Sequence, residues 1–285
     1  MKNGCLLFAH NGDIDYGSQA VLAAALVKKY LNVPVSLVSD KETIKDINLK
    51  FTHTPFENII EIEKTNEGNQ RRLYDKNSKD YKLFNFINGN RHSAYNLTPY
   101  DRTLVIDTDF LVFSDNLSKY WDYDDFFINP GMLLLQDEYI APREHKVGPY
   151  SIDMLWATNI VFSKNEETKI LFDLVEYIKQ EYYYYSNLYE FHSGQYRNDF
   201  AFSIACHIMS GHGVDLWHRE LPIPLFFDDK CEILKVKDNG DIVFLIEKQD
   251  THILAKSCNQ DVHIMNKSSL LDNLDQLLKL ADYER

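Results

Sequence analysis

The sequence predicts a mixed α/β fold: a mainly parallel, Rossmann-like sheet flanked by helices, with an antiparallel hairpin added in the second half. Three observations predict it. Residues 5–40 run from an apolar stretch through a polar loop and an Ala/Leu/Val-rich helix to a second apolar stretch, the pattern of a βαβ unit. Continuous apolar runs recur at 102–106 and 156–162, as expected of strands covered on both faces. Two β-rich runs between 230 and 248 flank Asp238-Asn239-Gly240, a hairpin turn signal.

Taken in order, Cys5 to Ala9 is the first buried strand, and the loop from His10 to Gly17 follows it. Ser18 to Tyr30 is the first helix, with Lys28 and Lys29 in its last turn, where cations complement the helix dipole. Pro34 restarts the chain into the strand Val35 to Val38, and Asn58 to Ile62 reads as another. Residues 64–82 are polar, with few apolar anchors, and read as a long loop or flap; Leu83 to Ser93 reads as helix. Arg102 to Ile106 is the clearest strand in the chain. Trp156 to Phe162 is a further strand, Glu166 to Tyr183 and Asp199 to Met209 are helices, Val262 to Met265 is a last strand, and Ser268 to Ala281 is an amphipathic helix. The tyrosines 182–185 read as a helix end that packs on the domain or walls an acceptor cleft.

Composition bounds the partners. The chain has 285 residues, 45% hydrophobic and 26% charged, an ordinary globular balance, and without repeats or linkers it reads as one domain over 1–285. Its 30 Lys and Arg against 43 Asp and Glu leave a formal charge of -13, which argues against a grip on a phosphate backbone or an anionic membrane. Cys5, Cys206, Cys231 and Cys258 show no paired spacing, so neither structural zinc nor a disulfide framework is expected. His207, His212 and His218 match no zinc-ligand pattern either. No secretory leader opens the chain and no apolar run reaches the roughly 20 residues of a membrane span, so the expectation is a soluble, cytoplasmic protein.

The chemistry concentrates in Tyr100 to Val112. Asp107 and Asp109 stand two residues apart at the carboxyl end of a buried strand, where open α/β sheets place ligands. Such a pair suits a hard divalent cation, Mn²⁺ or Mg²⁺, with coordination positions left for substrate phosphates. The competing reading is that Asp107 caps a turn and Asp109 is solvated. His263 completes the metal set if its strand returns beside the acids, with Lys267 as a point charge on the same phosphates; a core or edge role competes for His263. Arg91 binds pyrophosphate or sugar, or is a surface arginine.

The segment Thr98-Pro99-Tyr100-Asp101-Arg102-Thr103-Leu104-Val105-Ile106-Asp107-Thr108-Asp109 resembles the Asp-x-Asp hallmark of GT-A glycosyltransferases. The resemblance implies a GT-A fold and a metal-dependent enzyme that moves a sugar from a nucleotide-sugar donor, UDP-sugar favoured, to a hydroxyl acceptor such as a saccharide or protein. It further implies that Ala9, Asn11, Asp15, Tyr16 and Asp40 hold the nucleotide, with Thr108, Arg91 and Lys267 also on the donor. Asn159 would lie beneath the donor sugar, and Asp199 would face it from the start of a helix; a plain helix cap is the competing reading for Asp199. Two departures stand out: Phe200 follows Asp199 where the family often has Gln, and Val262 to Lys267 lacks the Gly and Pro-Trp of the glycogenin-like branch. With Ile14-Asp15-Tyr16-Gly17 and Tyr196-Arg197-Asn198-Asp199, the chain is also similar to GT-A-like proteins of large tailed phages. That likeness implies a host-cytoplasmic setting and adds a hydroxymethylated DNA base as a second acceptor class, with Arg71, Arg72, Lys76, Lys79, Lys82 and Arg91 as a basic groove or a solvated loop. Two further functions compete with sugar transfer. A nucleotidyltransferase also uses strand-end acids and a divalent metal, but it needs a Gly-rich, basic loop near its start, and residues 10–17 hold no Lys or Arg. A catalytically inactive carbohydrate-binding or assembly module would not need the intact Asp107-Thr108-Asp109.

Overall fold

The computed structural model describes residues 1–64, 69–75, 80–87, 90–136, 139–143, 145–191, 195–213, 216–248 and 251–284. Its first half is β1 (Asn3–Ala9), α1 (Tyr16–Leu31), β2 (Val35–Ser39), α2 (Lys41–Lys50), β3 (Asn58–Glu61), β4 (Gln70–Asp75), β5 (Asp80–Asn85), α3 (Ala94–Leu97), β6 (Arg102–Ile106), β7 (Phe110–Leu111), β8 (Phe127–Asn129), β9 (Met132–Gln136) and β10 (Tyr139–Arg143). The second half is β11 (Trp156–Ser163), α4 (Glu166–Gln180), α5 (Tyr182–Leu188), α6 (Asn198–Met209), β12 (Arg219–Glu220), β13 (Leu225–Phe227), β14 (Cys231–Val236), β15 (Ile242–Lys248), β16 (Thr251–Ser257), β17 (Val262–Ile264), α7 (Lys267–Asp272) and α8 (Leu274–Leu280).

A seven-stranded sheet in the order β12-β8-β11-β6-β1-β2-β3 forms the centre. Its β1, β2, β3 and β6 are parallel neighbours, and β11 runs antiparallel between β6 and β8. Each strand alternates its side chains between two cores, as a period of two requires. Leu7, Leu104 and Ile106 pack under α1 and α8, whereas Leu6, Val105, Ile160 and Phe162 pack under α4 and α6. A second sheet, β10-β9-β13-β17-β7, stands at the carboxyl end of β6. In it β17 lies antiparallel to β7, with His263 opposite Phe110.

The mixed, mainly parallel sheet, the flanking helices and the antiparallel hairpin are therefore present, while several local expectations change. Helix α1 begins at Tyr16, two residues before Ser18, because Asp15 caps it by accepting the Ser18 amide at 3.0 Å. β4 pairs antiparallel with β5, where a loop followed by helix was expected; Leu83 to Asn85 belong to β5, a single 3-10 turn spans Arg91–Ser93, and α-helix starts at Ala94. The hairpin 231–248 gains β16 as a third strand. The last helix is two, because the Asn273 amide donates to the Ser269 carbonyl at 2.9 Å and competes with the backbone ladder. The tyrosine tract opens α5, with Tyr185 buried and Tyr183 and Tyr184 exposed. Lys76 and Lys79 of the basic cluster lie outside the described residues. Among the described residues no helix is long and apolar enough to cross a membrane.

Candidate active site

The carboxyl ends of β1 and β6, the start of β11 and the start of α6 floor a cavity of about 480 Å³. Asp107 follows β6 directly, and its amide donates to the Thr158 carbonyl at 2.8 Å, which ties the turn to β11. Asp109 then precedes β7, and the β7–β17 pairing carries His263 beside it: His263 Nε2 lies 3.1 Å from Asp109 Oδ2, although 154 residues separate the two. Lys267, at the head of α7, places its ammonium on the same Asp109 oxygen. Asp109, His263 and Lys267 are all buried.

Arg91 is buried too, donating to Asp107 Oδ1 and to the Ala157 carbonyl. Two buried cations thus sit on two carboxylates, which a low-dielectric site requires of charges it holds. Ligand atoms of Asp107, Asp109 and His263 all lie within 4.8 Å of one another, close enough to converge on one ion. Two carboxylates with an imidazole suit Mn²⁺ better than an all-oxygen cation such as Mg²⁺. Lys267 occupies the cationic position on Asp109 in this structure, so an ion bound there displaces its ammonium from that oxygen.

Asp199 lines the same cavity from the first turn of α6. It does not cap the helix. Its Oδ1 accepts the Ala157 amide at 3.0 Å, and its Oδ2 accepts from Arg197 at 3.0 Å. The Ala157 peptide consequently joins both ends of the floor, its N–H held by Asp199 and its carbonyl by Arg91. Thr108 lies against Gln19 of α1, its hydroxyl 3.3 Å from Gln19 Oε1, and Tyr16 also lines the cavity.

The remaining nucleotide-loop residues do not line it. Ala9 is buried, and its carbonyl accepts from Ser39. Asn11 organises the loop by accepting the Gly17 amide at 2.8 Å, and Asp15 caps α1 while pairing with Lys50. Asp40 caps α2 and holds His10 Nδ1 at 2.9 Å. Burial raises the Asp40 carboxyl, but the Thr43 and His10 hydrogen bonds outweigh it and hold the group below the usual carboxylate range. Burial lowers His10, with Asp40 opposing. Asn159 is buried opposite Ile106, while its strand neighbours Trp156 and Thr158 line the cavity. A regular strand that presents 156 and 158 to one side turns 159 to the other, and β11 carries an irregularity between Trp156 and Ile160.

Sequence reasoning missed Arg197 and the β4–β5 hairpin. The hairpin brings Asn69, Gln70, Arg72 and Leu83 to the cavity wall. Leu73-Tyr74 and Tyr81 to Phe84 on either side of Asp75-Lys76-Asn77-Ser78 were the available signal, though without strict alternation. Arg91 separates from the exposed Arg72 and Lys82, because its guanidinium is turned inward onto Asp107.

No protein-family model and no curated protein matches the sequence. Solved structures do match. The chain is similar to the glycosyltransferase GlyE of Streptococcus pneumoniae TIGR4 at 12% identity and a TM-score of 0.40, over 78% of this chain and 45% of that one, less than half its length. It is similar to the galactosyltransferase LgtC, solved with donor and acceptor sugar analogues, at 14% identity and a TM-score of 0.41, covering 70% of this chain and 68% of that one. The PaToxG glycosyltransferase matches at 13% identity and a TM-score of 0.37, covering 73% and 69%. What the cavity does follows from its own residues.

Proposed function

We propose that this chain transfers a sugar from a nucleotide diphosphate sugar, UDP-sugar favoured, to a hydroxyl acceptor such as a saccharide or protein. One observation carries the reading: Asp107, Asp109 and His263 converge at the end of β6, with Lys267 on the same carboxylate, on the floor of a cavity of about 480 Å³. That volume lies in the range of sites that enclose small ligands. A divalent cation, Mn²⁺ or Mg²⁺, would be held by Asp107, Asp109 and His263 and would supply Lewis-acid stabilisation of the departing diphosphate.

The chain's own groups do the rest. In the transfer, the acceptor oxygen bonds to the sugar C1 as the C1–O bond to the diphosphate breaks, the electron pair leaving on the phosphate oxygen and the acceptor hydroxyl releasing one proton. Lys267 supplies a point charge to the diphosphate as its negative charge grows. Arg91 holds Asp107 against β11, and Tyr16 offers a ring to the base. Asp199, fixed by the Ala157 amide and Arg197, accepts hydrogen bonds from sugar hydroxyls. A DNA base fits less well as acceptor, because the inward turn of Arg91 removes one cation from the basic cluster that would meet a phosphate backbone.

The test is thermal unfolding with UDP, GDP, ADP or CMP, each with and without Mn²⁺. The expected result is a stabilisation that needs both Mn²⁺ and one nucleotide, since a ligand stabilises in proportion to its occupancy of the native state. Asp109→Ala should abolish it. No stabilisation by any nucleotide with Mn²⁺ would sink the reading.

A further inference from the structure

A second cavity, of about 440 Å³, lies behind the first. The two share the start of β11 as a wall: Leu155 lines the second, Trp156 lines the first, and His145 of the second packs edge-on against Trp156 at 5.4 Å. The shared wall is firm, since the Leu155 amide donates to Ser203 Oγ at 2.8 Å and Ser203 Oγ donates to the Asp199 carbonyl at 2.6 Å.

The lining is selective in kind. Its polar side chains are the imidazoles of His145, His207 and His218, the hydroxyls of Ser203 and Ser210 and the carboxylates of Asp153 and Glu220, and the described lining holds no Lys or Arg. Asp153 is paired with Lys146 at 2.8 Å, and the remaining carboxylate, Glu220, disfavours phosphate, nucleotide and nucleic acid. His218 lines this cavity and is itself buried, and its Nδ1, shielded from solvent, has no hydrogen-bond partner among the described residues. Burial alone drives its pKa down to about 4, so at neutral pH it offers an uncharged donor and acceptor. Ile152, Leu155 and Leu216 supply apolar surface beside these groups. Apolar faces, neutral imidazoles and carboxylates together match a ligand that carries C–H surface and many hydroxyls and no charge.

We propose that this second cavity binds a neutral saccharide. The site is separate from the metal-bearing cavity and does not depend on the donor reading. On the transferase reading, it is where a carbohydrate acceptor or product chain is anchored.

The test is saturation-transfer NMR on the full chain with lactose, cellobiose, maltose and chitobiose, and with glucose 6-phosphate as the anionic counterpart. The expected result is transfer to at least one disaccharide, none to glucose 6-phosphate, and full retention of the signal in Asp109→Ala. Glu220→Gln and Leu216→Glu alter exposed side chains at this cavity, so the variants should fold, and both should lose the signal. Transfer to none of the four disaccharides would overturn the proposal. So would a signal that vanishes in Asp109→Ala or survives both variants, because it would then arise elsewhere. Failure here leaves the nucleotide and Mn²⁺ stabilisation untouched, so the two readings fall separately.

Discussion

Lys267 and Asp109 set a competition at one carboxylate oxygen. An ammonium already on Asp109 would oppose a metal ion there, and a diphosphate that drew Lys267 away would relieve the conflict. Lys267→Met keeps the buried stem and removes the charge. It should bind Mn²⁺ more tightly than the native chain without nucleotide and bind nucleotide more weakly with it, both read by isothermal titration calorimetry. Unchanged Mn²⁺ affinity would show that the ammonium does not compete. His218 gives a second prediction. Its folded pKa, about 4, lies below the ordinary 6.5, so the unfolded chain binds more protons between those values. Its contribution is complete above the ordinary value and is lost as pH falls towards the folded one, about 2 kcal/mol by pH 5. His218→Gln should flatten the fall of Tm between pH 7 and 5. Residue types at the metal end were legible because Asp107 and Asp109 follow a strand whose apolar run stops at them. Asp15 and Asp40 were not, since a carboxylate that caps a helix and one that meets a ligand look alike until the amide it accepts is in view.

At the scale of elements, strands with continuous apolar runs, β1, β2, β6 and β11, could be read almost to the residue. Those of two residues, β7 and β12, carry too little periodicity to be seen, whereas the three-residue β17 could be read from its apolar run. The β4–β5 hairpin was hidden by its polarity: it faces the cavity and solvent, and Leu83 stays 60% exposed, so burial never wrote an apolar stripe into it. The same fact yields a prediction. Replacing 70–85 with a short Gly/Ser linker should leave Tm nearly unchanged, because little core is lost, yet weaken nucleotide binding in the presence of Mn²⁺ by removing a wall of the cavity. Equal affinity with and without the hairpin, measured by calorimetry, would show that it takes no part in the site.

At the scale of the whole molecule, the formal charge of -13 coexists with a first cavity lined by Arg72, Arg91, Arg197 and Lys267. Long-range repulsion should therefore keep duplex DNA away: no retardation in a gel at physiological salt, and a salt-sensitive shift would revive the DNA acceptor. Composition showed that balance; it could not show that Arg91 and Lys267 turn inward onto carboxylates. The pairing of β7 with β17 has a consequence in time. Asp109 precedes His263 by 154 residues in synthesis, and His263 and Lys267 reach it only when β17 docks on β7. Until then the ribosome-bound chain has acids but no ion site. The cluster is completed only once β17 has docked on β7, so an ion that needs all three ligands would be held by the folded chain alone.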